Sequence, residues 1–213
     1  MLTVHHLGIS QSERIVWLCE ELGIDYELVR YDRDPQTRLA PAAYKALHPM
    51  GIAPVITDGA LVLGESGAIV DYIIHSYGDG RLAIGPQAPD FADYLFWFHF
   101  ANGTLMPSML TGVIASMLGV SVEGPSAKAL GERLERSYAL LEDRLGKASY
   151  LAGEAFSAAD IMTVFMLTTM RAFLPRDLSD YPHIRAYLAR IGARPAYQRA
   201  MERGDPGFAP LLS

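Results

Sequence analysis

The hydrophobic pattern changes its period once along the chain, and this change limits the fold more than any other sequence feature. In residues 1–78, short runs of β-branched and aromatic residues alternate with helical patterns. In residues 88–213, apolar residues recur at helical spacings of three and four. Residues 79–87 contain glycine and proline and are typical of a linker. The sequence therefore predicts a small α/β domain, a linker and an all-helical domain.

Four short runs in the first domain have the composition of β-strands. They are Leu2–His6, Tyr26–Tyr31, Pro54–Thr57 and Leu61–Leu63. Asp58 and Gly59 separate the last two runs, and this pair favours a hairpin because glycine readily adopts a positive φ. Helical patterns separate the other runs, so we expect a mixed sheet covered by helices.

A long uncharged segment in the helical domain runs from Tyr94 to Val122. A membrane-spanning helix needs about 20 predominantly apolar residues. Polar residues interrupt this segment, however, and Pro107 kinks or breaks a helix. We therefore expect a long, bent and mostly buried helix and no membrane partner. Part of the segment is a candidate contact with a second copy of the chain.

The net charge and the cysteine content limit which binding partners and which cellular compartment we expect. The net charge of −6 argues against nucleic acid or an anionic membrane surface as the main partner. The single cysteine, Cys19, cannot form an internal disulfide, and its apolar neighbours on a predicted helix indicate a buried thiol. The sequence begins without a charged n-region followed by an apolar run, so we expect a cytoplasmic protein.

The six histidines do not predict a metal site. His5 and His6 are adjacent in a predicted strand, so their side chains point to opposite faces and cannot bind one ion together. The other histidines are isolated, with no histidine at the third or fourth following position. We therefore expect no bound metal ion.

The clearest helix start in the second domain has a structural function. Ser157 and Asp160 have the spacing of a capping box, with aspartate in the third helical position. Phe156 and Ile161 occupy the two positions of a hydrophobic staple. The next ten residues carry no charge, which predicts a helix in the centre of this domain.

Ser10 lies where the first predicted strand leads into the first predicted helix. Ser10 and Glu13 fit the S-x-x-E capping box, so Ser10 can act as the helix cap, a position for which Ser12 competes. A helix N-terminus also favours an anion, and a hydroxyl group there can donate a hydrogen bond to one. The residues alone leave both interpretations open.

Two further features are weak when each is taken alone. Pro54 stands at the start of a predicted strand, where proline is tolerated because no donor is needed. Glu65 and Ser66 open the next helix, where serine is a natural N-cap and glutamate can be a solvated turn residue.

Taken in order along the chain, these features resemble the cytosolic glutathione transferases, over nearly the whole length. The resemblance is carried by HHLGISQSERIVWLCEELGIDYELVRY, GIAPVITDG, LVLGESGAIVDYI, FSAADIMTVF and YPHIRAYLARIGARPAYQRA. It implies a thioredoxin-like domain followed by a helical domain. The first strand and turn contain no tyrosine, so the chain is most similar to bacterial members that use serine.

The resemblance assigns roles to residues of the first domain. Ser10 matches the position whose hydroxyl donates to the glutathione sulfur, and Arg14 matches an arginine that supports this corner. Pro54 matches a cis-proline. Ala53 matches the residue whose backbone pairs with the cysteinyl part of glutathione.

The other end of glutathione is assigned in the same way. Glu65 and Ser66 match the pair that holds the γ-glutamyl group. Ile52 stands where many members have a lysine that neutralises the glycine carboxylate. The resemblance then leaves this role to another basic residue: Arg38, Lys45 or His48.

The resemblance implies a homodimeric enzyme with glutathione as co-substrate, which attacks a small electrophile or a peroxide as thiolate. Isomerase-like members typically show a double serine in the turn, where this chain has Ile9 and Ser10. The alternative is a binding or interaction module that keeps the transferase fold without turnover. Retention of Ser10, Glu65 and Ser66 argues against this alternative, whereas Ile52 leaves it open.

Overall fold

The computed structural model describes residues 1–119, 121 and 123–213. Val120 and Val122, at the end of the uncharged segment, lie outside the described residues. In the described part of the chain, no helix combines the length and the apolarity needed to cross a membrane.

The described residues form two compact units. The first unit comprises Met1–Ala83 together with Ile191–Pro210. The second comprises Ile84–Arg190 together with Leu211–Ser213. The division predicted from sequence, with domains at 1–78 and 88–213 joined by a linker at 79–87, stays a prediction.

The first unit contains a four-stranded mixed sheet, as predicted. Its strands are β1 (Leu2–Leu7), β2 (Glu27–Tyr31), β3 (Val55–Asp58) and β4 (Leu61–Gly64). The spatial order is β2–β1–β3–β4, with β2 parallel to β1 and both other pairings antiparallel. Asp58 pairs with Leu61 across the hairpin, and Gly59 has a φ of 58°. The hairpin prediction is confirmed.

Helices follow the predicted periods. They are α1 (Glu13–Leu22), α2 (Ala42–Lys45), α3 (Ser66–Tyr77), α4 (Phe91–Phe100), α5 (Met106–Leu118), α6 (Pro125–Leu145), α7 (Ala158–Leu167), α8 (Pro182–Gly192) and α9 (Pro195–Gly204). A π-helical segment, Ala101–Leu105, joins α4 to α5, and a short 3₁₀ turn, Thr169–Ala172, follows α7.

Helix α9 packs on α1 within the first unit. The rings of Trp17 and Tyr197 lie 4.9 Å apart, edge to face. At one end of this contact, Arg194 Nε donates to Glu21 Oε1 at 2.7 Å. Cys19 lies on the buried face of α1, where burial raises the pKa of its thiol. The interpretation of Cys19 as an inert buried thiol agrees with this position.

The uncharged segment is less buried than predicted. Pro107 has no backbone N–H to donate within a helix, and the chain passes through the π-helical segment immediately before it. Trp97 and Phe98 are buried, but Phe96 and Ile114 are half exposed. The prediction of a mostly buried helix is therefore wrong for one face of α4 and α5.

The centre of the second unit is α7, every residue of which is buried. The predicted capping box is present: Asp160 Oδ2 accepts the N–H of Ser157 at 2.9 Å. Asp160 Oδ1 also accepts the N–H of Leu151 and the hydroxyl of Tyr187, each at 3.0 Å. This carboxylate therefore joins the preceding loop and α8 to the start of the central helix.

The Asp160 contacts predict the effect of an isosteric change. In Asp160→Asn, the amide N–H₂ group must face groups that are themselves donors, so one buried donor loses its partner. We expect the free energy of unfolding to fall by about 2–4 kcal/mol, from a lost cap and one unpaired buried donor. Urea denaturation of the purified protein measures this loss.

Ser157→Ala is the matched control, because it removes the N-cap side chain and leaves the bonds of Asp160 to Leu151 and Tyr187. We expect it to cost about 1 kcal/mol. Equal losses in the two variants would mean that the bonds of Asp160 beyond the cap contribute nothing.

Candidate active site

The strand directions bring three of the predicted site segments to one edge of the sheet. Leu7 at the end of β1 pairs with Tyr31, and His5 pairs with Val55 at the start of β3. Val55 also pairs with Gly64 at the end of β4. The turn after β1, the segment before β3 and the start of α3 therefore leave the sheet at the same edge.

The Ser10 hydroxyl points inward, toward the end of β1. Its Oγ donates to the carbonyl oxygen of Leu7 at 2.6 Å and lies 2.8 Å from Ser12 Oγ. Helix α1 begins only at Glu13, and its N-cap residue, Ser12, makes no side-chain capping bond. The Ser10 hydroxyl donates to β1, its oxygen accepts the N–H of Ser12 at 3.3 Å, and backbone carbonyls accept the first N–H groups of α1. Both interpretations of Ser10 are compatible with this geometry.

The turn itself is held from two sides. Ile9 has a φ of 50°, and its N–H donates to Asp205 Oδ1 at 2.8 Å. Arg33 Nε donates to the carbonyl oxygen of Gly8 at 2.9 Å, and its Nη2 donates to that of Ile9 at 3.1 Å. Partial burial lowers the pKa of the Arg33 guanidinium. These contacts fix a backbone conformation that is uncommon for isoleucine.

Two buried residues in this region were not predicted as site residues. His6 Nδ1 lies 2.9 Å from Ser12 Oγ, and His6 Nε2 lies 3.2 Å from Asp205 Oδ2. His5 instead contacts Tyr31 and Thr57, so the two histidines point to opposite faces, as predicted. Asp205 follows α9, far along the chain, and no local pattern connects it with the turn.

Arg14 connects the turn to the start of α3. Its Nη1 donates to Gln11 Oε1 at 2.8 Å and to Ser66 Oγ at 3.1 Å. The side chain is completely buried, and desolvation lowers its pKa to about 9, with the charge of Glu13 acting in the opposite direction. This contact joins two of the predicted site residues, Arg14 and Ser66, directly.

The segment before β3 presents free backbone groups at the same edge. The Ala53–Pro54 peptide bond is cis, as the resemblance implies. Neither the N–H nor the C=O of Ala53 takes part in a backbone hydrogen bond within the described residues. A bound extended peptide could therefore pair with Ala53 as an additional strand does. Ile52, next to it, is 54 % exposed.

Glu65 has an uncommon backbone conformation at the start of α3. Its φ is 67° and its ψ is 114°, and its side chain is exposed. Ser66 is the first residue of the helix and is buried, so the N-cap position belongs to Glu65. The prediction that Ser66 is the N-cap is therefore wrong. A non-glycine residue in this region costs about 1–3 kcal/mol and often marks a functional position.

The three basic candidates for the glycine carboxylate lie in different surroundings. Lys45 lies beside Gly51: a β-carbon built on this glycine would be 3.6 Å from the Lys45 side chain, which is exposed. His48 lies beside Gly64: a β-carbon built on that glycine would be 3.4 Å from the His48 ring. Arg38 lines a separate cavity of about 360 Å³ beside the turn, together with Arg30 and Arg33. Lys45 and His48 thus flank the segment that leads to Ala53.

The described residues contain no cluster of three or more potential metal ligands. The available chemistry is a hydroxyl at a strand-to-helix turn, a free backbone edge, and polar groups at a second helix start. This set can bind a peptide and hold an anion near Ser10.

Comparison with known protein families gives two matches. Residues 10–76 match the family described as "Glutathione S-transferase, N-terminal domain". Residues 105–195 match "Glutathione S-transferase, C-terminal domain". The two matches cover most of the chain and part of each unit.

Individual proteins agree with the family matches. Glutathione S-transferase 3 of Schizosaccharomyces pombe is 30 % identical over 226 positions, which cover 100 % of this chain and 92 % of that protein. The crystal structure of a glutathione S-transferase from Actinobacillus pleuropneumoniae is 32 % identical, with a TM-score of 0.87 and coverage of 98 % and 97 %. A sphingomonad glutathione S-transferase complexed with glutathione is 26 % identical, with a TM-score of 0.75 and coverage of 97 % and 100 %.

The buried position of Arg14 predicts a pH dependence in the variant Arg14→Lys. Desolvation of similar strength would lower the lysine pKa from about 10.4 to about 7. The unfolded variant then binds more protons than the folded one above pH 7, so its free energy of unfolding rises with pH, by about 2 kcal/mol between pH 7 and 9. The pKa of Arg14 itself is about 9, so the rise in the parent protein over this range is below about 0.5 kcal/mol.

Urea denaturation at the two pH values measures the slope. Arg14→Met is the control, because it also removes the guanidinium but has no titrating group. Equal slopes in the lysine and methionine variants would show that water reaches this position and that the ammonium is not desolvated.

Proposed function

The chain belongs to the glutathione S-transferase family, and we propose that it binds glutathione along the sheet edge and holds its sulfur as thiolate at Ser10. The protein is a glutathione transferase with glutathione as its co-substrate. The observation that supports our site assignment most directly is the convergence of Ser10, Ala53 and Ser66 at one edge of the sheet.

The activation of the thiol needs only modest stabilisation of the anion. A free thiol has a pKa of about 8.5, so about 3 % is thiolate at pH 7. Lowering this pKa by about two units corresponds to about 2.7 kcal/mol. A hydrogen bond to a charged group contributes about 1.5–3 kcal/mol, and the N-terminus of α1 adds about 0.3–1 kcal/mol. A single hydroxyl donor at the helix start is therefore sufficient.

We assign the other parts of glutathione to the residues along this edge. The free backbone of Ala53 pairs with the cysteinyl residue, and Pro54 holds this segment in place. Glu65 binds the γ-glutamyl ammonium group, and Ser66 binds the γ-glutamyl carboxylate. Arg14 acts by positioning Ser66.

Two basic residues remain candidates for the glycine carboxylate. Ile52 lines the site as an apolar neighbour where many family members have lysine. Lys45 and His48 flank this segment, and Lys45 is the better candidate because a lysine ammonium is a compact cation on a flexible stem and this side chain is exposed.

The thiolate attacks a small electrophilic carbon or a peroxide, and we expect this reaction to take place in the cytoplasm. We also propose that the protein is a homodimer. The half-exposed apolar side chains on α4 and α5, such as Phe96 and Ile114, support this proposal because a second copy could cover them.

Ser10→Ala tests the assignment of the thiol-binding hydroxyl. We expect the pKa of enzyme-bound glutathione to rise by about one to two units, from loss of one hydrogen bond to the thiolate. Conjugation at about pH 6.5 should then be roughly 10–100-fold slower. Thiolate absorbance and the pH–rate profile measure the two effects.

The pH profile contains its own control, because at high pH the thiol ionises without help and the difference from the parent protein should shrink. Ser12→Ala is not a neutral control, since Ser12 shares a hydrogen bond with Ser10. An unchanged thiol pKa in a folded Ser10→Ala variant would exclude Ser10 as the donor.

Glu65→Ala tests the γ-glutamyl contact. Loss of a charge-assisted contact of about 1.5–3 kcal/mol should raise the glutathione KM roughly 10–150-fold. We expect kcat at saturating glutathione to change little, because the contact is distant from the sulfur. Initial-rate kinetics at varied glutathione concentration separate the two parameters.

Glu65→Gly is the matched variant, because it also removes the carboxylate but tolerates the positive φ. It should weaken glutathione binding as much as alanine does, and unfold with a free energy about 1 kcal/mol higher than the alanine variant. If both variants keep the parent KM, Glu65 is only a strained turn residue.

A further inference from the structure

A continuous series of polar side chains leads from Ser10 into the first unit. Ser10 Oγ lies 2.8 Å from Ser12 Oγ, and Ser12 Oγ lies 2.9 Å from His6 Nδ1. His6 Nε2 lies 3.2 Å from Asp205 Oδ2. We call these four residues the Ser10–Asp205 relay. The proposed function uses only its first member.

The middle of the relay is closed to solvent, because Ser12 and His6 are 0 % exposed. Its two ends are slightly exposed, Ser10 at 5 % and Asp205 at 3 %, and Asp205 lines the cavity beside the turn. From the Ser10 end, a substrate proton can therefore reach His6 only through the two hydroxyl groups. The histidine is tightly enclosed, because a β-carbon added to Gly204 would lie 3.3 Å from its Nε2.

The carboxylate of Asp205 determines which nitrogen of His6 carries the proton. Its Oδ1 accepts the N–H of Ile9 at 2.8 Å, which stabilises its negative charge. Its Oδ2 lies 3.2 Å from His6 Nε2, and neither atom has a hydrogen-bond partner within the described residues. A proton on Nε2 is therefore favoured, and Nδ1 is left as an acceptor for the hydroxyl of Ser12.

We propose that the relay accepts the proton of the glutathione thiol and that His6 is its final acceptor. This proposal rests on the assignment of Ser10 as the residue that contacts the sulfur. The thiol proton passes to Ser10 Oγ, the Ser10 proton passes to Ser12 Oγ, and the Ser12 proton passes to His6 Nδ1. One S–H bond breaks, one N–H bond forms, and both hydroxyl groups are restored.

The same transfer explains how Ser10 becomes a donor to sulfur. In the free protein the Ser10 hydroxyl donates to the carbonyl oxygen of Leu7 at 2.6 Å, and it turns to Ser12 for the transfer. After the transfer, Nδ1–H of His6 donates to Ser12, and the Ser12 hydroxyl is free to donate to Ser10 or to the Leu7 carbonyl, which lies 3.3 Å away. Ser10 then carries the former thiol proton and donates it to the thiolate as a hydrogen bond. His6 is thus a positioning residue that acts through the two serines.

The surroundings of His6 balance the charge that the transfer creates. Asp205 contacts it from the end of α9. Glu13 and Arg14 lie in the first turn of α1 beside Ser12, and Arg33 binds the turn carbonyls and interacts electrostatically with Asp205. Because Asp205 is the group in contact with the ring, an imidazolium at His6 forms a buried ion pair.

The relay makes a stoichiometric prediction. If the thiol proton remains on His6, thiolate forms without releasing a full proton to the solvent. Glutathione is added to the whole protein in weakly buffered solution at about pH 7, where the free thiol is protonated. Ultraviolet difference absorbance measures the thiolate, and an indicator dye measures the released protons. A titration with S-methylglutathione, which has no thiol, subtracts protons released by other groups.

We expect well under one proton released per thiolate in the parent protein. In His6→Asn, the amide oxygen can still accept from Ser12 but cannot take its proton, so one proton should be released for each thiolate. The thiolate fraction in this variant should also fall, by roughly tenfold for a rise of about one pKa unit. His5→Gln, a change at the neighbouring position on the opposite face of β1, should keep the parent ratio.

The outcomes separate the relay from the proposed function. A ratio of one proton per thiolate in the parent protein overturns the relay, whether or not the His6 variant folds. If that ratio occurs while Ser10→Ala still loses the thiolate, Ser10 remains the thiol-binding residue. If Ser10→Ala keeps the full thiolate signal, the assignment of Ser10 is overturned and the relay with it.

Discussion

The pairing of β1 with strands on both sides is the constraint on which the candidate site depends. Its parallel partner β2 and antiparallel partner β3 fix the end at which the Ser10 turn leaves the sheet. They also fix the face to which each side chain points. A register shift of one residue would exchange the faces of His5 and His6, and Ser12 would then lose its contact with the His6 ring.

The sequence predicts the strands, the hairpin at Gly59 and the central helix α7, because each depends on a local pattern of apolar and turn residues. It does not predict that α9 packs with the first unit, since a helical period tells which face is apolar but not what covers it. The exposed face of α4 and α5 was missed for a related reason. An uncharged run such as the one around Phe96 indicates apolarity, and burial depends on tertiary contacts.

In the candidate site, too, some features could be predicted from the sequence and others could not. Ser10, Arg14, Ala53 and Pro54 were identified as candidates because each lies at the start or end of a predicted element and because their order resembles a family. The orientation of the Ser10 hydroxyl could not be predicted, because it depends on the distance to the Leu7 carbonyl. His6 and Asp205 come together only after folding; in sequence, nothing distinguishes this histidine from its neighbour His5.

The discontinuity of the first unit has a consequence for biosynthesis. Its sheet and the Ser10 turn are made early, but Asp205 and α9 leave the ribosome only after the second unit has been synthesised. A nascent chain that ends at Ala83 contains the serines and Arg14, yet it has no carboxylate to bind Ile9 and no helix to cover Trp17. Assembly of the turn is thereby coupled to translation of α9 and Asp205, and a chain interrupted before them keeps the motif without the finished site.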